Sequence, residues 1–223
     1  MLRPLFPRLL SDDEFVGLNP RDERFALPKA SPGRRVGLFG GTFDPPHEGH
    51  QNAAKMALNR LQLDELWWMV TPGNPLKRGQ PLSDLKRRLD ATEAWAQDPR
   101  IRITAFEARF AVHTTCDVIQ FLRSRYPGVR FVWIMGGDNL MSFHRWENWT
   151  SIMRSVPIAV IDRPGAPSPA LRSPAARHFW KHRLDQDDAG LLVEKPPPAW
   201  CVLHGPLKSV SSTRLRAEGR GLS

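Results

Sequence analysis

Cysteine is scarce in this sequence: Cys116 and Cys201 lie far apart and form no CxxC pair. That excludes a disulfide-built scaffold and a cysteine zinc framework, so both thiols are expected to be free and largely buried. No apolar run of about 18 residues occurs, which removes a membrane-spanning helix. The start, MLRPLFPRLLSDDEF, has too short an apolar stretch for a secretory signal and soon meets Asp12, Asp13 and Glu14. Also missing are the GxxxxGK[ST], GxGxxG and HExxH patterns, and any internal repeat. These absences point to a soluble, cytoplasmic protein without a metalloprotease or Walker-type site.

What the chain has is positive charge, a net +9 from 32 Lys and Arg against 23 Asp and Glu. Excess cations concentrate phosphate groups, so the partner is expected to be a polyanion. Nucleic acid is the obvious rival reading. The charge is scattered rather than gathered on one helix or arm, and no nucleic-acid motif appears, so a phosphorylated small molecule is preferred and no nucleic-acid or membrane partner is expected. With 223 residues, 41% of them hydrophobic, the chain can bury one substantial core and still carry an extension and an insertion.

Residues 1–34, rich in proline and charge, read as an N-terminal extension that is surface-wrapped or partly disordered, with order expected from Arg35. From there, short apolar runs alternate with helix-like stretches. Strands are expected at 36–39, 66–70, 101–103, 131–135, 157–161 and 200–203, and helices near 48–62, 83–97, 115–125 and 146–154, with a last one opening at Ser211 or Ser212. This alternation predicts an α/β fold: a Rossmann-like, doubly wound, mainly parallel sheet with helices on both faces. The proline-rich stretch 163–198 breaks the rhythm and reads as a long insertion or mobile loop within a domain running from 35 to 223.

The segment Gly37-Leu38-Phe39-Gly40-Gly41-Thr42-Phe43-Asp44-Pro45-Pro46-His47-Glu48-Gly49-His50 is the most informative. Glycines after the first strand let backbone N–H groups approach phosphate oxygens, and the helix that follows adds the partial positive charge of its N-terminus. His47 and His50, three residues apart at the helix start, project to one side. Two imidazole donors beside a phosphorus atom can stabilise charge that builds on its oxygens during displacement. A glycine-rich turn after a strand is common by itself, and the spacing leaves that plainer reading open. A zinc site at HEGH fails on spacing and lacks a third ligand.

At these residues the sequence resembles the nucleotidyltransferase superfamily that carries a (T/H)xGH signature, here His47-Glu48-Gly49-His50, and the longer GGTFDPPHEGH is similar to bacterial nicotinate-nucleotide adenylyltransferases. Four further stretches share the resemblance, which spans about residues 35–218. Asn74-Pro75-Leu76-Lys77 resembles a segment whose lysine reaches the phosphates. Thr114-Thr115-Cys116-Asp117 stands where the family commonly has Tyr-Thr-x-Asp, with Thr114 replacing the tyrosine. Met135-Gly136-Gly137-Asp138 followed by Trp146 resembles the aspartate near the nucleotide and the aromatic that lies against the pyridine ring. Val210-Ser211-Ser212-Thr213-Arg214-Leu215-Arg216 resembles the ISSTxIR motif. Read from the residues alone, Lys77 is an ordinary loop lysine, Thr115 and Asp117 are helix-capping residues, and the serines are a helix cap.

The resemblance implies transfer of AMP from ATP to nicotinate mononucleotide, with release of pyrophosphate. It implies catalytic roles for His47, His50, Lys77 and Arg216, and ATP contacts from Gly40, Gly41, Thr42, Phe43, Asp138, Ser211, Ser212 and Thr213. It places Thr115, Asp117 and Trp146 at the mononucleotide. Mg²⁺ is expected to travel with ATP, held mainly by phosphates and water, without a protein cage. Two alternatives remain: a sister enzyme that takes nicotinamide mononucleotide, phosphopantetheine or another phosphorylated acceptor, and a non-catalytic nucleotide- or RNA-binding module on the same scaffold.

Overall fold

The structure, a computed structural model, describes residues 19, 21–72, 84–110, 112, 114–162, 169–205, 212–217, 219 and 222. Six strands, β1 Arg35–Gly41, β2 Glu65–Val70, β3 Ile101–Thr104, β4 Arg130–Gly136, β5 Ile158–Asp162 and β6 Trp200–His204, form one sheet in the order β3-β2-β1-β4-β5-β6. Every pairing is parallel. The helices are α1 Glu48–Arg60, α2 Leu85–Glu93, α3 Thr115–Arg125, α4 Gly137–Ser142, α5 Trp149–Ser155, α6 Pro174–His178 and α7 Ser212–Ala217. This is the expected Rossmann-like order, and its reversal between β1 and β4 opens a crevice at the carboxyl ends of those strands.

The apolar runs are continuous because both sheet faces are covered. Along each strand, alternate residues enter opposite cores. Val36, Leu38, Trp67, Met69, Trp133, Met135 and Val160 pack against α3 and α5. Phe39, Leu66, Trp68, Val70, Ile134 and Ile161 pack against α1, whose Ala53, Ala54, Ala57 and Leu58 form its buried stripe. Among the described residues no helix is long and apolar enough to cross a membrane.

Three expectations need correction. Order begins before Arg35: Phe25 is buried on a short 3₁₀ turn, the Ala105 N–H donates to the Arg24 carbonyl at 2.7 Å, and the Tyr126 hydroxyl donates to the Pro28 carbonyl at 2.7 Å. Residues 169–198 form α6 and three 3₁₀ stretches rather than a loose loop, with Ala175, Ala176, Phe179, Leu192 and Val193 buried. Proline marks their corners, and apolar residues between the corners anchor them. The fourth long helix starts at Trp149, not 146, and the short α4 directly after β4 has no counterpart in the sequence reading.

Candidate active site

The register pairs Phe39 with Ile134, so the strand ends at Gly41 and Gly136 lie on one edge, at the reversal point of the sheet. At Gly40 a Cβ would approach the Trp133 ring to 3.2 Å, and at Gly41 the Phe43 ring to 3.1 Å. Close aromatic packing therefore favours these glycines, beside any part they play toward a ligand. The left-handed residue of the loop is Phe43, at φ 48°, a conformation that costs a bulky residue roughly 1–2 kcal/mol. Its ring is held edge-on to Trp68, with centroids 5.1 Å apart, and to His50 at 4.8 Å.

His47 caps α1 in an extended conformation, and its N–H donates to His50 Nδ1 at 3.2 Å. The two rings stack at 3.8 Å and 25°. Because Nδ1 accepts, the neutral His50 ring carries its proton on Nε2, which is left as a donor. Burial, and then the neighbouring His47, hold the His50 pKa well below the usual 6.5. At neutral pH His50 offers a hydrogen bond without adding buried charge.

The C-terminal helix closes on the same loop. The Ser212 hydroxyl donates to the Pro45 carbonyl at 2.8 Å, and an Arg216 Nη donates to the Asp44 carbonyl. The histidine loop and the serine-rich turn are thus neighbours, as the sequence reading required. These hydrogen bonds also occupy the Ser212 proton and one guanidinium N–H, leaving Arg216 its other donors. Thr42 follows Gly41 and is half-buried, and Thr213 lies within α7. Lys77 and Ser211 lie outside the described residues.

Sequence reasoning missed two groups beside the loop. Arg88, on α2 and buried, donates from Nη1 to the carbonyls of Thr42 at 2.9 Å and Thr71 at 2.8 Å, and from Nη2 to that of Pro72 at 3.3 Å. Burial lowers its pKa, opposed by the charges of Asp44 and Asp84. Glu107, after β3, is pushed up to about 7 by burial, with a hydrogen bond from Thr71 working against the rise. In the string KRRLD nothing separates a buried arginine from solvated ones. The amphipathic period on α2, with Leu89 and Thr92 buried on the same helix, was the available signal.

Across the crevice, Asp138 sits exposed in the first turn of α4, its Oδ1 within 2.5 Å of where a Gly136 Cβ would stand. A Cβ at Gly137 would meet Asp162 Oδ1 at 2.5 Å. Trp146 is half-buried and edge-on to Phe143, with centroids 5.2 Å apart and planes at 68°. It packs with the α3 and α5 core, whereas Phe43 belongs to the α1 core, so the candidate residues fall on both sides of the sheet edge. Thr115 and Asp117 are half-buried in the first turn of α3, and the cap itself is Thr114, whose hydroxyl accepts from the Asp117 N–H at 3.2 Å. The departure from tyrosine thus places a capping hydroxyl at position 114.

Residues 38–218 match the cytidylyltransferase-like family model. A protein of Mesorhizobium japonicum named probable nicotinate-nucleotide adenylyltransferase is 51% identical over 195 residues, covering 87% of this chain and 100% of that one. A protein of Agrobacterium fabrum with the same name is 52% identical over 181 residues, covering 81% and 97%. Among solved structures, Plasmodium falciparum nicotinic acid mononucleotide adenylyltransferase complexed with NaAD superposes with a TM-score of 0.62 at 15% identity, covering 82% of this chain and 83% of that one. At that identity the superposition speaks for the fold.

Proposed function

This chain belongs to the cytidylyltransferase-like family and, within it, to the nicotinate-nucleotide adenylyltransferases, and from that premise we infer the reaction and the residues that serve it. The enzyme transfers AMP from ATP to nicotinate mononucleotide, giving nicotinate adenine dinucleotide and pyrophosphate, a step of NAD biosynthesis. The domain that does so has its sheet between Arg35 and His204 and takes Phe25 into its core, and its place is the cytoplasm.

An oxygen of the mononucleotide phosphate attacks the α-phosphorus of ATP in line, and the bond from that phosphorus to the α–β bridging oxygen breaks, so that pyrophosphate leaves with the electron pair. No covalent intermediate with the protein is needed, and the protein's part is alignment and stabilisation of charge. Gly40, Gly41, Thr42 and Phe43 present backbone at the mouth of the crevice. His47 and His50 donate to oxygens of the triphosphate, His50 from a neutral ring. Arg216 reaches phosphate with the N–H groups not engaged by Asp44, Ser212 does so after exchanging its Pro45 partner, and Ser211, Thr213 and Lys77 complete the cradle. Asp138 serves the nucleotide. Trp146, Thr115 and Asp117 bound the mononucleotide, the flat indole suiting a flat, electron-poor ring.

Mg²⁺ carried by ATP would neutralise phosphate charge. Among the described residues no group of three or more His, Cys, Asp or Glu has the arrangement of a metal site. An ion of this kind keeps several of its waters and is held mainly by phosphate oxygens.

The observation that supports this reading most is the closure of α7 on the histidine loop through Ser212 and Arg216. The test is pyrophosphate release from ATP and Mg²⁺ across a panel of acceptors. Nicotinate mononucleotide should be used at least ten times more efficiently than nicotinamide mononucleotide, phosphopantetheine or glycerol phosphate, and equal use of the amide would defeat the assignment.

A further inference from the structure

We propose that Arg88 is a positioning residue for adenylyl transfer, a buried strut that sets the geometry of two triphosphate-binding connections without touching the nucleotide. The inference rests on the functional reading above. Arg88 is 1% exposed, and its guanidinium donates to three main-chain carbonyls, those of Thr42, Thr71 and Pro72. Thr42 lies in the β1–α1 loop. Thr71 and Pro72 open the connection that runs on from β2 toward Lys77. One planar guanidinium therefore ties the β1–α1 loop to the residues that directly follow β2.

The charges of Asp44 and Asp84 offset part of the cost of a cation in this place. Taking a guanidinium out of water costs several kcal/mol, and an apolar side chain of similar volume often serves a core as well or better. What a rigid fork of donors adds is direction. In a trans peptide the carbonyl and the following N–H point opposite ways, so fixing the Thr42 carbonyl fixes the aim of the Phe43 N–H. Phe43 itself stands at φ 48°, which needs such an external hold. Two later carbonyls of the loop, those of Asp44 and Pro45, are held by Arg216 and Ser212, and the Thr71 N–H donates to the Gly41 carbonyl at 2.9 Å, so Arg88 adds to a frame around the loop.

The experiment compares wild type with Arg88→Met and Arg88→Lys. It reads kcat and both KM values, ATP binding by calorimetry without acceptor, thermal unfolding, and amide exchange of peptides covering residues 40–47 and 71–72. Misplacement of about 1 Å can cost a hundredfold in rate. Arg88→Met should therefore lose about a hundredfold in kcat and weaken ATP, leave KM for nicotinate mononucleotide within twofold, and exchange faster in those two peptides while α3 and α5 keep their protection. Arg88→Lys, which keeps the charge but not the fork, should recover part of the loss. Wild-type kcat and ATP affinity in folded Arg88→Met overturn the proposal. If Arg88→Met fails to fold, wild-type kcat and exchange in Arg88→Lys overturn it equally. A wild type that binds ATP but ignores nicotinate mononucleotide defeats the functional reading instead, and the ATP-binding and exchange arms still decide the role of Arg88.

Discussion

The two flanks of the crevice are held in different ways. In the β1–α1 loop, the carbonyls of Thr42, Asp44 and Pro45 are taken by side chains 46, 172 and 167 residues away in sequence. In the β4–α4 segment the side chains nearest the crevice make short-range contacts: Asp138 folds over Gly136, the Ser142 hydroxyl donates to the Asn139 carbonyl at 3.2 Å, and Trp146 leans on Phe143. The long-range frame makes the loop a product of the whole fold, sensitive to changes on α2 and α7. On the other flank α4 packs on β5 and on residues 169–178, yet the Trp146 ring leans on a near neighbour, so its substitution should act chiefly on what that ring touches.

The sharpest test of that contrast is His50→Ala, which should lower kcat by about 10²–10³, the loss typical of one preorganised donor, with the circular dichroism spectrum unchanged. Because burial and then His47 hold His50 neutral, wild-type activity should also show no acid limb near pH 6.5 from this ring; such a limb would mean that His50 is charged in the free enzyme. The proton His50 declines in the folded state is taken up when the chain unfolds. Stability from this ring is therefore full above about pH 6.5 and is lost as pH falls below it.

Glu107→Gln probes the loop flank through stability. The folded-state pKa of Glu107 is raised to about 7 from 4.5, so the folded chain holds a proton that the unfolded chain releases. Its contribution is complete below pH 4.5 and is lost as pH rises toward 7. Glutamine should consequently stabilise the protein at pH 8 by on the order of 2 kcal/mol, allowing for the part of the side chain that solvent reaches, and by nothing at pH 4.5. Chemical denaturation at the two pH values measures this.

On the other flank, Trp146→Ala should raise KM for nicotinate mononucleotide by roughly tenfold, in line with about 1–3 kcal/mol per stacked base, while kcat and ATP affinity stay near wild type. A fall in kcat with an unchanged KM would erase the distinction between the flanks. The smallest expected effect is from Ser212→Ala. One neutral hydrogen bond is worth about 0.5–1.5 kcal/mol, so kcat/KM for ATP should fall up to about tenfold. A loss as large as that of His50→Ala would make the serine a principal catalytic group.

The sheet was legible in the sequence because each strand is buried on both faces and so reads as an unbroken apolar run, such as Leu66–Val70 or Phe131–Met135, set between polar helices. The histidine pair was legible because its loop, its glycines and its helix start are consecutive. Residues 169–198 misled because proline frequency says where a chain turns and nothing of whether Phe179 and Leu192 are buried between the turns. The N-terminal stretch misled in the same way, since the anchoring of Phe25 depends on Ala105 and Thr104, far along the chain.

Sequence by itself determined the alternation of strands and helices, the nature of the groups proposed to face phosphate and the chemistry such groups can perform, because these depend on side-chain identity and on neighbours a few residues apart. Only the tertiary structure decided that α7 closes on the histidine loop, that His50 is neutral with its proton on Nε2, and that Arg88 spans two connections. Those outcomes depend on which backbone carbonyls lie within about 3 Å of a donor and on how much water is excluded around it, and neither is set until distant parts of the chain have packed together.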